Sequence, residues 1–529
     1  MNDDVPASDG TAHAQPPRPP RLKGGVVADA AEGRKPDNAS WLWSPWLAFG
    51  LVSLVRAGVF PFAWNIYGDA PSRVEILLEW MAHPFFLRSF HGARQYGPLN
   101  LYLLAALEWL WPDRFVVPRL LSLALGCLSA WPFYRLAERR FGRRAAAIST
   151  WAFALYGLHI QSSTTAASEA IFLFFLLWAL VFLDREQLAA AAVAVACCCA
   201  VRYDGWLYAP LSWMFLVGPV RSGRASLGRA LAYAAGTLVV PVFLMWGNWR
   251  DMGDPLYLVH YIDADHMRNA AHAAAAIGRK LYAVYCLTFW PANLFVDLTP
   301  AVFAAVGIAV WRCRRTWRAL DLAVLATIPA TLFSFRGAFL LQFHPLARFT
   351  IPTAVLLLPY AGPGFELLLE GRRRAARIAI IATSVVVTLA VPAIITWRTE
   401  GKADAWADTL RPVSPVSNLP PDLEAGAKAL ETAIGSGNAL IDQSPGYEDI
   451  ALAFYVHLPF DRVWELRRPG MAEDLEHRPA PDVIAEMPGG RLEEAGFTRA
   501  AGDGIDGFGR HYRLAQKIGR VSIYVRPGL

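Results

Sequence analysis

Long apolar stretches alternate along this chain with short clusters of arginine. WLWSPWLAFGLVSLVRAGVFPF (41–62) is the first such stretch, and roughly 20 apolar residues are what a helix needs to span a bilayer. The clusters RLAERRFGRR (135–144), VRSGRASLGR (220–229), WRCRRTWR (311–318) and EGRRRAAR (370–377) recur at the same side of the apolar stretches. Loops such as YGDAPSRVE (67–75) and ASEA (167–170) carry acids instead. Basic residues at span ends mark the cytoplasmic side. The pattern is that of a polytopic α-helical membrane protein whose acidic loops face outward, and chemistry is expected where those acids sit.

Composition agrees. The chain has 529 residues, 55% of them hydrophobic, and a mean hydropathy of +0.30, values that fit a membrane protein better than a soluble enzyme. The net charge of +6 is no argument for nucleic acid, because the basic residues sit where they orient helices and meet anionic lipid. Six cysteines (Cys127, Cys197, Cys198, Cys199, Cys286, Cys313) fall in or beside apolar segments without metal-ligand spacing, as small buried residues do. Residues 1–38 are rich in Pro, Ala, Gly and charge and lack the apolar run of a signal peptide. They read as a disordered cytosolic tail.

Alternation gives spans near 41–62, 116–134, 145–160, 170–183, 188–201, 206–219, 230–247, 298–311, 319–335, 347–366 and 378–397. Eleven is odd, so the segment from 398 lies outside. QYGPLNLYLLAALEWLW (95–111) holds Glu108 and does not cross by the charge rule; 63–115 is expected to be an outer loop with helices lying in the interface. A second outer segment covers 248–297. From 398 the composition changes: 438–466 reads strand, turn, helix, strand, and 509–527 alternates like paired strands, so 398–529 is expected to be a small α/β domain.

Asp69 follows the first span, with Glu75 and Glu79 after it at helical spacing. An acid beside a cavity at the membrane surface can act as a general base or hold a metal; Asp69 or Ser72 could equally cap a helix starting near Arg73. Glu169 opens another span, with Ser168 as a local cap. Arg202 with Asp204, and His344 with Arg348, stand at outer span ends, where guanidinium groups suit a phosphate oxyanion; an Arg202–Asp204 ion pair is the plainer alternative. Arg56 lies inside the first span, either snorkelling to an interface or turned inward. His83, His91, His260, His266 and His272 make no zinc spacing, and no Walker loop is present.

The ordered series GDAPSRVE, QYGPLNLYLLAAL, VPRLLSLALG, RFGRRAAAIS, ASEAIFLFF and the later RFTIP (348–352) resembles the membrane-integral C-type glycosyltransferases. The likeness is to the bacterial branch related to protein O-mannosyltransferases and the aminoarabinose transferase of lipid A. It covers about 41–397, and each motif alone is weak. Ala70 stands where the family often has a second acid, Gln95 and Gly97 replace the usual His and first Pro, and Glu169 stands where Asp is frequent. The resemblance implies a C-type glycosyltransferase fold in the plasma (inner) membrane. It implies a transmembrane domain at 39–397 with the N-terminus cytoplasmic, and an extracytoplasmic domain at 398–529. The implied activity is inverting transfer of a hexosyl or pentosyl group from a polyprenyl-phosphate sugar to a protein, lipid or glycan acceptor on the outer face. Asp69, Glu169 and Glu75 are then the catalytic candidates. Arg348, Arg202 and His344 are the donor-phosphate candidates. No metal site is assigned, although Asp69 and Glu169 could hold a divalent ion. The alternatives are a lipid-linked sugar flippase or transporter, and a catalytically degenerate assembly protein.

Overall fold

The computed structural model describes residues 40–529 apart from 65, 67–68, 83–95, 315–320, 400–418, 445–447, 460–461, 467–474, 476, 501–502 and 529. The segment 1–38 expected to form a cytosolic tail therefore lies outside the described residues, as do His83, His91 and Gln95.

A helix occupies each of the eleven stretches read as spans. Six are long and apolar enough to cross a membrane: Pro45–Phe62, Val117–Phe141, Leu227–Met252, Leu322–Leu340, Ala347–Leu369 and Arg374–Ile395. Two bent pairs raise the number to eight if each is one span: Gly157–Thr164 with Ser168–Asp184 at 113°, and Arg279–Asp297 with Pro300–Cys313 at 117°. The other expected spans do not meet that measure. Leu188–Val201 has 14 residues and reaches about 21 Å, short of the ~30 Å hydrocarbon core. Asp204–Arg221 is one helix of 18 residues with Pro210 and Pro219 inside it.

Ion pairs gather the basic clusters at one end of the bundle. Arg139 pairs with Asp184 at 2.6 Å, Arg224 with Glu186 at 2.5 Å, Arg140 with Asp321 at 3.2 Å, and Arg144 with Glu366 at 3.5 Å. The clusters 135–144 and 220–229 are thereby tied to the turn at Asp184–Glu186, to Asp321 and to Glu366. Side chains such as Leu54, Val239, Ile378 and Val386 stay exposed along the apolar helices, as lipid-facing residues do. Arg56 does not snorkel. It is fully buried and donates to Val52 O at 3.1 Å, Phe153 O at 3.3 Å and His159 Nδ1 at 2.8 Å. Carbonyls at the C-terminal end of Arg143–Ala154 carry the negative end of that helix dipole and offset the cation.

Pro98–Leu110 has 13 residues and ends on the exposed Trp109, Leu110 and Trp111, which suits an interfacial helix rather than a span. Its inner face, Leu101, Leu104 and Ala105, packs on Ile76, Leu77 and Trp80 of Ala70–Ala82.

The C-terminal region forms a seven-stranded sheet in the order β2-β1-β3-β7-β6-β5-β4. The strands are β1 (Ala439–Ile441), β2 (Val463–Glu465), β3 (Val483–Glu486), β4 (Thr498–Arg499), β5 (Gly504–Gly507), β6 (Arg510–Ile518) and β7 (Val521–Val525). β1, β2 and β3 run parallel, and the rest pair antiparallel. Period-2 alternation sends Ala439, Ile441, Val483 and Ile523 to the face covered by Pro421–Ile434 and Glu448–Tyr455. Leu440, Trp464, Ile484 and Tyr524 form a second core on the other face. The strand–helix–strand order expected over 438–466 and the paired strands over 509–527 are both present.

Candidate active site

Asp69 immediately precedes the helix Ala70–Ala82, which starts earlier than the expected point near Arg73. Its carbonyl accepts from the Arg73 N–H at 3.0 Å. Its carboxylate is turned to tertiary partners: Arg348 Nη1 donates to Oδ2 at 2.7 Å, and Arg73 Nη2 stands 3.6 Å away. Asp69 keeps 26% of its side chain exposed, enough to be reached. Burial pushes its carboxyl up, but the charges of Arg348 and Arg73 outweigh burial and hold it below its ordinary range. Arg348 sits in the 3₁₀ turn Ala347–Thr350 at the start of its span.

Glu169 is the second residue of the helix Ser168–Asp184 and is buried. Arg202 Nη1 donates to its Oε1 at 2.6 Å, while Glu169 Oε2 is buried without a hydrogen-bond partner among the described residues. The expected cap at Ser168 does not form. Ala167 holds the cap position, and Ser168 Oγ accepts from Arg202 at 3.0 Å. The plainer Arg202–Asp204 ion pair is real, at 2.7 Å, and is half of a larger arrangement. The charge of Arg202 also acts on Asp69. Three arginines and three carboxylates thus form one cluster drawn from four separate stretches of chain.

This cluster heads a narrow cleft of about 30 Å³. Glu169, Arg202, Asp204 and Arg348 line its polar part; Phe172, Trp290, Phe333 and Phe349 line its apolar part. Asp69 borders the cleft through Arg348. Fixed guanidinium groups beside an apolar slot fit an anionic headgroup with a hydrocarbon tail. Among the described residues no three His, Cys, Asp or Glu side chains gather as a metal group. The two acids expected to share an ion are each engaged by an arginine, so this donor set fits an anion better than a cation.

Two expected candidates fall elsewhere. Glu75 is buried further along its helix, where its charge bears on Arg114. His344 lies off the cleft, with Nδ1 3.3 Å from Tyr282 Oη and its N–H donating to His266 Nδ1 at 3.4 Å. His266 stacks on Phe343 at 4.7 Å, and burial pushes its imidazole down to about 4, so it is neutral.

Sequence reasoning passed over the residues that hold the site together. Arg119 donates to Thr164 O at 2.8 Å and to Phe60 O at 2.5 Å. It thereby ties the exit of the first span to the turn before Glu169. Ser122 Oγ donates to Ala167 O at 2.9 Å. Both lie in VPRLLSLALG, a motif quoted above only for its likeness. Tyr96 of QYGP lies against the Arg73 guanidinium, 4.8 Å from ring centre. Gly97 is required by packing: a Cβ there would come within 2.2 Å of Ala200 O and 2.4 Å of Val201 O. Any larger residue there would collide with the helix end that presents Arg202.

No family model matches the sequence, and no curated protein matches it. The structure is similar to ArnT from Cupriavidus metallidurans in the apo state, with a TM-score of 0.58 at 14% identity over 92% of this chain and 98% of that one. The chain has the ArnT fold. ArnT from the same organism bound to undecaprenyl phosphate aligns with a TM-score of 0.58 at 13% identity over the same shares. At that coverage the ArnT likeness takes in the membrane body and the tail domain together. The oligosaccharyltransferase of Archaeoglobus fulgidus in complex with zinc and sulfate aligns with a TM-score of 0.48 at 11% identity, over 83% of this chain and 68% of that one.

Proposed function

We propose that this protein is a glycosyltransferase that moves a sugar from a polyprenyl-phosphate donor to an acceptor on the outer face of the plasma membrane, with inversion. The observation that carries this reading is the apolar cleft headed by Arg202 and Arg348 with carboxylates at its mouth. The fold shared with ArnT, a protein seen bound to undecaprenyl phosphate, supports it. The donor's phosphate takes Arg348 and Arg202, and its prenyl chain takes the aromatic slot. The acceptor's hydroxyl or amine attacks the anomeric carbon as the bond from that carbon to the phosphate oxygen breaks. The acceptor's proton passes to Asp69, and the prenyl phosphate leaves with the bonding pair and one further negative charge. The two guanidinium groups stabilise that developing charge. Glu169 fixes Arg202 from behind, and Asp204 fixes it from the side.

The arrangement links base strength to occupancy. Arg348 is paired with Asp69, which makes Asp69 a weak base. A donor phosphate shares Arg348 and screens its charge, so Asp69 becomes more basic once a donor is present. That order limits idle activation of water, whose attack on the donor is the competing reaction.

Radiolabelled polyprenyl-phosphate sugar offered to the purified protein in detergent, with candidate acceptors, tests the reading. A new glycosidic bond is expected. A flippase would make none, and a degenerate assembly protein would turn over no donor. A divalent ion between Asp69 and Glu169 would meet the charges of Arg348 and Arg202, which already engage one oxygen of each acid. Transfer is accordingly expected to persist in a chelator, and its loss on chelation with recovery on adding metal would establish the ion.

A further inference from the structure

The tail domain is wedged against both loops that carry the site acids. Phe454, near the end of the tail helix Glu448–Tyr455, is 1% exposed and forms one apolar cluster with Ala70, Val74 and Ala166. Ala70 adjoins Asp69, and Ala166 lies just before Ser168 and Glu169. The contact continues to either side. Trp64 meets Tyr455 edge-on at 5.1 Å, and Phe115 meets Phe454 at 5.3 Å and stacks on Tyr455 at 5.7 Å. Arg114 donates to Phe454 O at 3.2 Å, Val456 O at 2.7 Å and Leu458 O at 3.4 Å. A guanidinium on these carbonyls satisfies the helix C-terminus and meets the negative end of its dipole.

None of these contacts belongs to the chemistry proposed above, yet they converge on the two stretches that must be placed most accurately. Asp69 stands directly before the short helix Ala70–Ala82, whose first residue packs on Phe454. An acid at position 70 would bury a charge against Phe454, where Ala70 instead gives the tail an apolar seat.

We infer that Phe454 and Arg114 are positioning residues: through them the tail domain holds the Asp69 and Glu169 loops in register across the donor cleft. The kinetic consequence rests on the transferase reading, whereas the mechanical coupling does not.

The test uses the full-length protein in detergent, with Phe454→Ala, Phe454→Leu and Arg114→Gln. Hydrogen exchange of the segments 69–82 and 162–170 is measured alongside transfer kinetics. Phe454→Ala and Arg114→Gln are expected to speed exchange in both segments and to lower kcat about 10- to 100-fold, as a misplacement near 1 Å does. KM for the donor is expected to stay within about threefold, since Arg348 and Arg202 sit on other elements. Phe454→Leu is expected to recover most of both. Arg114 lies outside the tail domain, so its variant separates loss of coupling from unfolding of the tail, whose strands β1, β3 and β7 should keep their protection. Unchanged exchange in both segments with either Phe454→Ala or Arg114→Gln overturns the inference, as does a rise in KM with kcat intact. Should the wild-type protein transfer no sugar, the transferase reading fails, and the exchange measurement alone decides the coupling.

Discussion

Arg348 reaches back 279 positions to donate to Asp69 at 2.7 Å. The proposed phosphate ligand and the proposed base are therefore one ion pair. This single bond joins the loop after the first span to the start of the span Ala347–Leu369, and it ties Asp69 to the lining of the cleft.

The acid limb of the pH profile follows from that pair. Asp69 is held below the ordinary carboxylate value of about 3.9 by Arg348 and Arg73. A lowered pKa keeps the ionised form at neutral and mildly acidic pH, and that form is lost only as pH falls through the lowered value. Arg73→Gln removes one of the charges that hold it down. It is expected to raise the pKa and move the acid limb of kcat/KM to higher pH. The pH–rate profile of the two proteins checks the direction, and a limb that stays in place or moves down contradicts it.

Removing Arg348 should act on binding first. Arg348→Ala loses a charge-assisted hydrogen bond worth about 1.5–3 kcal/mol, so affinity for undecaprenyl phosphate is expected to fall about 10- to 100-fold. Arg348→Lys should recover part of the loss, because an ammonium keeps the charge but lacks the planar fork. A titration of the lipid phosphate into purified protein measures both.

Gly97→Ala addresses the frame rather than the chemistry. The added methyl meets the carbonyls of Ala200 and Val201 at 2.2 and 2.4 Å, and backbone cannot yield as a side chain would. A loss of about 1–3 kcal/mol is expected for such overpacking. A shift at Arg202 should weaken donor binding as well. A thermal-unfolding comparison with lipid-phosphate titration checks both.

The sequence disclosed the membrane body, the shared side of the basic clusters and the α/β tail, because those depend on local periodicity and on charges at span ends. It also pointed to Asp69, Glu169, Arg202 and Arg348. What it could not disclose was partnership. Whether Asp204 and Glu169 share Arg202 depends on how Ser168–Asp184 bends against its neighbour, and no local pattern encodes a 113° break. Glu75 looked as eligible as Asp69 because both are acids after the first span. Its place one face away from the cleft emerges only when Ala70–Ala82 packs against Pro98–Leu110 and the tail. Arg119 and Ser122 were visible as residues within a motif, but their hydrogen bonds to Phe60, Thr164 and Ala167 are long-range.

Asp69→Asn tests the central claim most directly. Transfer of radiolabelled sugar from a polyprenyl-phosphate donor is measured for the wild type and the variant, together with binding of undecaprenyl phosphate. The proposed mechanism predicts a loss in kcat of about 10²–10⁴-fold, the contribution of a positioned general base, with the lipid phosphate still bound because Arg348 and Arg202 remain. An asparagine variant that transfers sugar at the wild-type rate would contradict it.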